Sequence, residues 1–600
     1  MRLRRLSALA LALCLPFMGL ARADDLAADL GGGYQATESD GLGNDIAAYL
    51  GGGYQATGSG STGNDIAADL GGGYQAAGSG STGNDIAADL GGGFQATDPY
   101  IQQQAAVPQA DMTNADLSIG YVEPGYLTYS PVATNIWSMI SFNQLVFESV
   151  VDLDENLKPV PMLANSWVQD GKNWIFTLRS GIQFHNGYEL TAYDVVRSYQ
   201  TLVQAGEENP YYERLQVIEN MDASPTDIYG LTVTAKNTSL MTLYAMVFPV
   251  MQYDTLYDEL PRGTGPYWYI QADAEGTVRL EANPLWWKQQ PEIKSVLLKR
   301  YYNVGDAIEA IRRHEIDMLS TKSPKASLSR KLAGLTSIDY PTLTYEMLVP
   351  NLSDGRLTAD ASVRQAIMYA IDRSVIASNG YLDMAVQCEV PVPPTSWLYE
   401  SQSAIYYYSP ERALQLMHNL GWYDLTGDGT LNKHVGVMVQ EPTLSIITYN
   451  ESSNSIRENV ANLIADYLRT VGFNATVTVY SKERTRQLIK DSEFDLALVG
   501  VNLSEVPVLS GLLKSKGALN LNHYSSDDMD QLLERVNTAS DEALLQKIYS
   551  DIQMTVVNRL PILGLLFRTG TVLSGRSIGG LGGVRVYDTF NGFEFLKKVD

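Results

Sequence analysis

Five histidines, His185, His314, His418, His434 and His523, are the side chains from which a metal or acid–base site would be built. They are scattered without the paired spacing that a metal needs. No Gly-x-Ser-x-Gly elbow and no phosphate-binding loop accompanies them, so the sequence offers no local nucleophile or nucleotide cradle. A Ser/His/Asp set assembled only by folding is the remaining enzymatic alternative. The stretch Asp424 to Leu431 places oxygen-bearing side chains at alternate positions like the first half of a calcium loop, but Val435 stands where the closing bidentate acid belongs. It reads as a polar turn. Two cysteines occur, Cys14 and Cys388. Cys388 has no motif around it and reads as a small buried hydrophobe rather than a nucleophile. The expectation is a protein that is not an enzyme and takes no cofactor or metal.

The 600 residues carry a formal net charge of −25, with 45% hydrophobic and 18% charged residues. That length exceeds one core and implies two or three domains. The acidic balance, with no Lys/Arg run, excludes a nucleic-acid partner. Arg2, Arg4 and Arg5 precede an apolar stretch from Leu6 to Leu20 and a small-x-small site at Ala21-Arg22-Ala23. Residues 1–23 therefore read as a cleaved signal peptide, and the protein as periplasmic. A lipoprotein anchored at Cys14 is the alternative, disfavoured by Leu13. Removal of the signal leaves one cysteine and no internal disulfide.

Residues 24–110 are dominated by a 20-residue repeat: Asn44-Asp45-Ile46, Asn64-Asp65-Ile66 and Asn84-Asp85-Ile86 each lead into a Leu-Gly-Gly-Gly segment. The Gly/Ser/Thr content favours a flexible tether, with a solenoid as the alternative. Beyond Asp111 the texture becomes that of a folded α/β chain. Ser409-Pro410-Glu411 starts a helix that Gly421 ends. Leu444 to Tyr449 is a strand. Ile456, Val460, Leu463, Ile464 and Tyr467 recur at helical spacing, Thr476 to Val479 alternates, and Phe494 to Val501 is a continuous apolar run. Strands alternating with helices imply a parallel α/β unit.

Several segments read in order carry a resemblance. They are Pro161 to Trp167; Trp174 to Gly187 running into Leu190 to Val196; Gly263 to Tyr267; Val363 to Ile367 with Ala370 to Arg373; and Gly421-Trp422 with Gly427 to Gly429. Together, over 111 to 600, they resemble the extracellular solute-binding proteins of peptide and nickel ABC importers, family 5. Thr191 and Asp194 form a capping pair within them. Trp174, Phe176 and Leu178 read as one strand face, and Arg364 as a surface or hinge-supporting ion-pair partner.

The resemblance implies a two-lobed α/β periplasmic-binding-protein fold of the large class, hinge-connected, that closes on its ligand. It implies a first lobe from 111–143, 262–345 and 562–600, an extra domain at 144–261, and a second lobe at 346–561, with Tyr345 to Asn351 crossing the hinge. It also implies a monomer that delivers a short peptide to a membrane permease. Peptide-binding members hold the ligand's α-amine with an acid in a Trp-x-x-Asp-x-x-Asp-Pro stretch. Here that stretch reads Gly500-Val501-Asn502-Leu503-Ser504-Glu505-Val506-Pro507, so the Trp and first Asp are absent and Glu505 is its sole acid. Glu505, with Gly500 and Asn502, becomes the candidate amine site. Glu123 and Tyr126 follow the first strand where relatives touch peptide main chain, and Trp397 and Tyr399 could stack on a ligand. The alternatives are a non-peptide solute, such as a metal chelate, sugar or opine, and an adhesion role through the repeats.

Overall fold

In the computed structural model of the chain, the described residues are 110–600 except 452–454, 586, 587, 599 and 600. The expected signal peptide with Cys14, and the repeats through residue 109, lie outside them.

Eleven strands form the main sheet: β1 (Leu117–Val122), β2 (Tyr267–Ala272), β3 (Val278–Ala282), β4 (Ser295–Tyr301), β5 (Met318–Thr321), β6 (Leu335–Pro350), β7 (Ala385–Gln387), β8 (Thr443–Tyr449), β9 (Asn474–Tyr480), β10 (Leu496–Asn502) and β11 (Leu563–Gly575). Their spatial order is β9-β8-β10-β6-β11-β5-β1-β4-β3-β2, with β7 added to β11. Two parallel sets, β9-β8-β10 and β5-β1-β4, lie on either side of the long antiparallel pair β6–β11. The parallel α/β unit expected around 444–501 is therefore present, with helices Ile456–Thr470 and Lys482–Lys490 as its connections.

β6 and β11 each serve both sets. Residues 335–341 of β6 pair with 569–575 of β11 beside β5, whereas 344–350 pair with 496–502 of β10. The β6–β11 register slips between Pro341 and Tyr345, where the chain passes from one set to the other. A slip interrupts the ladder and bends it where the pair passes from one parallel set to the other. The expected crossing strand thus begins ten residues earlier than Tyr345, at Leu335.

Between β1 and β2 the chain builds a separate four-stranded antiparallel sheet, Ala164–Asp170, Asn173–Leu178, Gly230–Ala235 and Ile218–Ala223. Trp174, Phe176 and Leu178 alternate inward as period-two patterning demands. Helix Ala192–Gln204 packs on this sheet. Its start carries the Thr191–Asp194 capping box, with Asp194 Oδ2 accepting the Thr191 N–H at 3.0 Å. Helix Pro410–Asn419 likewise begins at Ser409 with Pro at its first position, and Gly421 adopts φ +85° just beyond it.

Three expectations need correction or a firmer reading. Arg364 is neither a surface residue nor an ion-pair member. It is buried, and its guanidinium donates to the Thr358, Ala359 and Arg559 carbonyls, tying one helix start to another helix end. In the loop at Asp424, that carboxylate accepts the Gly427 and Gly429 N–H groups at 2.7 and 3.0 Å, which makes it a self-capped turn. Cys388 is buried with its Sγ against the Val390 and Val392 carbonyls, and burial pushes its thiol up to about 12.

Gly564 is where β11 meets the back of the crossover. A Cβ there would overlap the Tyr345 hydroxyl and the Glu389 carbonyl, and neither position can retreat within the packed sheet. Gly564→Ala is expected to lower stability by about 3 kcal/mol, at the upper end of overpacking costs, measured by urea unfolding. His185 supplies a pH-dependent case. Its Nδ1 accepts the Gly263 N–H at 3.1 Å and its Nε2 faces the Gly265 carbonyl, and burial pushes its pKa down to about 3. The unfolded imidazole takes a proton near 6.5, so stability is full above that value and falls as pH drops from 6.5 toward 3. Between pH 7 and pH 5 the stability difference between the wild type and His185→Gln should shrink by about 2 kcal/mol. A constant difference would show that the folded imidazole titrates normally.

Candidate functional site

In open α/β sheets, ligands gather beyond the carboxyl ends of the parallel strands. Here β10 ends at Asn502, and the loop that follows carries Leu503, Ser504, Glu505 and Val506 into the space between the β9-β8-β10 set and the segment 144–261. Two narrow cavities flank this loop. The first is lined by Tyr244, Leu343, Pro391, Ser396 and the loop itself. The second is lined by Trp137, Asn143, Glu148, Tyr211, Arg214 and Glu505. Glu505 borders both.

Glu505 is 7% exposed, so it is not a solvated loop carboxylate. Its Oε1 accepts from the guanidinium of Arg214, which sits on the one-turn helix Tyr212–Leu215 and also donates to the Val247 carbonyl at 2.9 Å. The pair is charge-assisted and buried on both sides, and removing either member would strand the other without water. Around it the seam closes through neutral bonds. Trp397 Nε1 donates to Tyr244 Oη at 2.8 Å and the Trp397 N–H to the Asn156 carbonyl at 2.8 Å. Ser239 Oγ donates to Val536 O at 2.7 Å, and the Leu240 N–H to Ala539 O at 2.9 Å. Glu148, in the second cavity, is pushed up by burial; Lys288 and bonds from Trp287, Thr264 and Trp286 oppose that shift.

The seven residues proposed from sequence are distributed as follows. Glu505 faces the cavities. Trp397 forms part of the seam, with its indole engaged by Tyr244. Tyr399 packs half-buried behind it, its N–H bonded to the Ser396 carbonyl. Asn502 is partly exposed at the end of β10 and accepts from Thr344 Oγ1 at 2.7 Å. Gly500, two residues earlier on the same face, has no side chain because a Cβ would lie 2.6 Å from Glu346 Oε1 and 2.8 Å from Arg457 Nη2. Glu123 closes a turn on the Gly125 N–H, Arg300 binds that turn's carbonyls, and Tyr126 stands 87% exposed. Neither Glu123 nor Tyr126 lines the two cavities.

Folding adds groups that the sequence did not single out. Arg214 is 291 positions from Glu505 and lies in no motif. Under Gly500 sits a buried charge cluster of Glu346 on β6, Arg568 on β11, Arg457 at the start of helix Ile456–Thr470, and Glu451 just past β8. Burial would push Glu346 up, but Arg457 and Arg568 outweigh it and hold the carboxyl below its usual value. Among the described residues, no group of three or more His, Cys, Asp or Glu side chains could hold a metal ion. No helix among them is long and apolar enough to cross a membrane.

Comparison with known proteins now bears on this geometry. The profile described as "Bacterial extracellular solute-binding proteins, family 5 Middle" matches residues 158–516. The chain is 22% identical over 476 residues to the oligopeptide-binding protein AppA of Bacillus subtilis, covering 75% of this chain and 86% of that protein. It is 24% identical over 491 residues to heme-binding protein A of Haemophilus influenzae, covering 75% and 87%. Among solved structures, NikZ of Campylobacter jejuni in complex with Ni(L-His) superposes with a TM-score of 0.61 at 20% identity, covering 81% of this chain and all of that one. The fold is the two-lobed periplasmic-binding-protein fold, and the chain belongs to the bacterial extracellular solute-binding proteins of family 5.

Proposed function

We propose that this protein is the periplasmic capture component of an ABC importer, that it closes its lobes on a short peptide, and that Glu505 receives the peptide's α-amine. The observation that carries the reading is the placement of Glu505: a carboxylate bordering both cavities at the carboxyl end of β10, neutralised by a guanidinium from across the seam. An ammonium carries the same single positive charge as the Arg214 guanidinium, so a peptide amine can take its place without leaving an anion bare, while Arg214 keeps its bond to the Val247 carbonyl. Export by cleavage after Ala23, the lobe boundaries at 143/144, 261/262, 345/346 and 561/562, a monomeric state and delivery to a permease belong to the same proposal. Trp397, Tyr399, Asn502, Gly500, Glu123 and Tyr126 are its subsidiary contacts.

Calorimetry with Ala-Ala-Ala and its N-acetylated form tests the anchor. Glu505→Gln should weaken Ala-Ala-Ala about 30-fold or more, as loss of one partner of a buried charge pair costs about 2 to 5 kcal/mol. It should change the acetylated peptide far less. Arg214→Gln should strengthen Ala-Ala-Ala about tenfold, because the amine no longer displaces an internal cation. Zero coupling between Glu505 and the amine would end the amine-anchor reading and promote a non-peptide solute.

A further inference from the structure

Exposed large apolar and aromatic side chains are scattered singly or in pairs over the described residues, except at one place. Val435, Val437, Met438 and Val439 stand 45, 101, 61 and 54% exposed within five consecutive positions, a density that no other stretch of the described residues reaches. They form the end of a hairpin, Lys433–Val435 and Met438–Gln440, which is a two-stranded sheet on its own. Gly436, at φ +63°, makes the two-residue turn with Val437. A Cβ built on Gly436 would meet nothing within 4 Å, so the turn projects clear of the body.

Only the base of the hairpin is held. Leu431 and Asn432 are buried, the Leu431 N–H donates to the Gly472 carbonyl at 2.9 Å, and Asn432 exchanges backbone bonds with Tyr423 at 2.6 and 2.9 Å. Lys433 bends back, its Nζ donating to the Leu420 carbonyl at 2.7 Å and lying over the Trp422 ring. The tip buries none of its apolar side chains in the fold, so core packing does not account for their type.

The directions of these side chains decide what can cover them. Val435 and Met438 are paired and share one face, Val439 lies opposite His434 on the other, and Val437 stands at the turn. Apolar surface therefore faces three ways. A flat protein surface, or a second copy stacked face to face, covers one of them and leaves the others wet. A fluid apolar medium covers all three. Residues 435–440 carry no charge, Lys433, His434 and Glu441 bracket them, and the half-exposed Tyr423 ring sits at the base, where an amphipathic ring suits a polar–apolar boundary. Three strand residues reach about 10 Å. Elements that lie in a membrane interface sink to about 5 to 10 Å.

We infer that this hairpin is a membrane-contact element, whose tip enters the interfacial layer of a zwitterionic phospholipid bilayer and holds this extracellular binding protein at the lipid surface. A zwitterionic headgroup layer suits it, because the net charge of −25 would be repelled by an anionic one. The contact lies apart from the two cavities and rests on no reading of the solute.

Co-sedimentation of the full chain with phosphatidylcholine vesicles tests this, comparing the wild type with the double variant Val437→Asp, Met438→Asp. Both side chains project into solvent, so the melting temperature should be unchanged. Vesicle affinity should fall about tenfold or more, since full burial of one valine or methionine is worth at least that factor. Wild-type binding should hold when salt is raised, as apolar insertion is not screened. Should the double variant melt lower, Val437→Ser, which alters only the fully exposed side chain, repeats the comparison with the same direction expected. Equal vesicle binding by wild type and variant, as an uncleaved signal or a lipid on Cys14 would give, overturns the inference, and so does absence of wild-type binding. A dimer seen by light scattering without vesicle binding, and lost in the variant, would overturn it in favour of a second copy on the hairpin.

Discussion

Two strands, β6 and β11, must belong to both halves of the molecule at once, and the rest of the structure follows from how that demand is met. A single continuous ladder would hold the two parallel sets in one plane. The register slip between Pro341 and Tyr345 releases the upper part of the pair from the lower, so one set can turn relative to the other while every strand keeps a neighbour. Gly564, packed against Tyr345 and the Glu389 carbonyl, shows how little room that turn has. The ladder slips again between Glu346 and Met347, so the pair is irregular over the whole stretch where it passes from one set to the other.

The same pair carries charge. Glu346 on β6 and Arg568 on β11 face one another in a region nearly free of water, and neither could be ionised there alone. Arg457 and Glu451 complete the balance from the helical side and from the end of β8. Burying four charges beside a crossover buys little stability, because desolvation offsets attraction. Such a network does fix the relative placement of the elements that hold it.

Much of the fold was legible because its signals are local. The Thr191–Asp194 box, Pro410 after Ser409, the inward alternation of Trp174, Phe176 and Leu178, and the strand–helix order from 444 to 501 each depend on neighbours within a turn or two. What stayed hidden depends on contacts across hundreds of positions. The pairing of 335–350 with 563–575 has no local mark, and neither does Arg214 beside Glu505. Gly500 is the instructive case. As a sequence feature it reads as a lost Trp, whereas in space its bare Cα makes room for the Glu346–Arg457 pair. Arg364 misled for the opposite reason: its charge suggested an acidic partner, but three carbonyls at helix ends serve it as well.

The internal pair changes how selectivity has to be understood. A site that presented Glu505 bare would bind any matching charge, since burying that group unpaired costs several kcal/mol. Here it already has a partner in Arg214. On the proposed amine anchor, a ligand charge contributes only the difference between itself and the group it displaces, and that difference depends on geometry more than on charge.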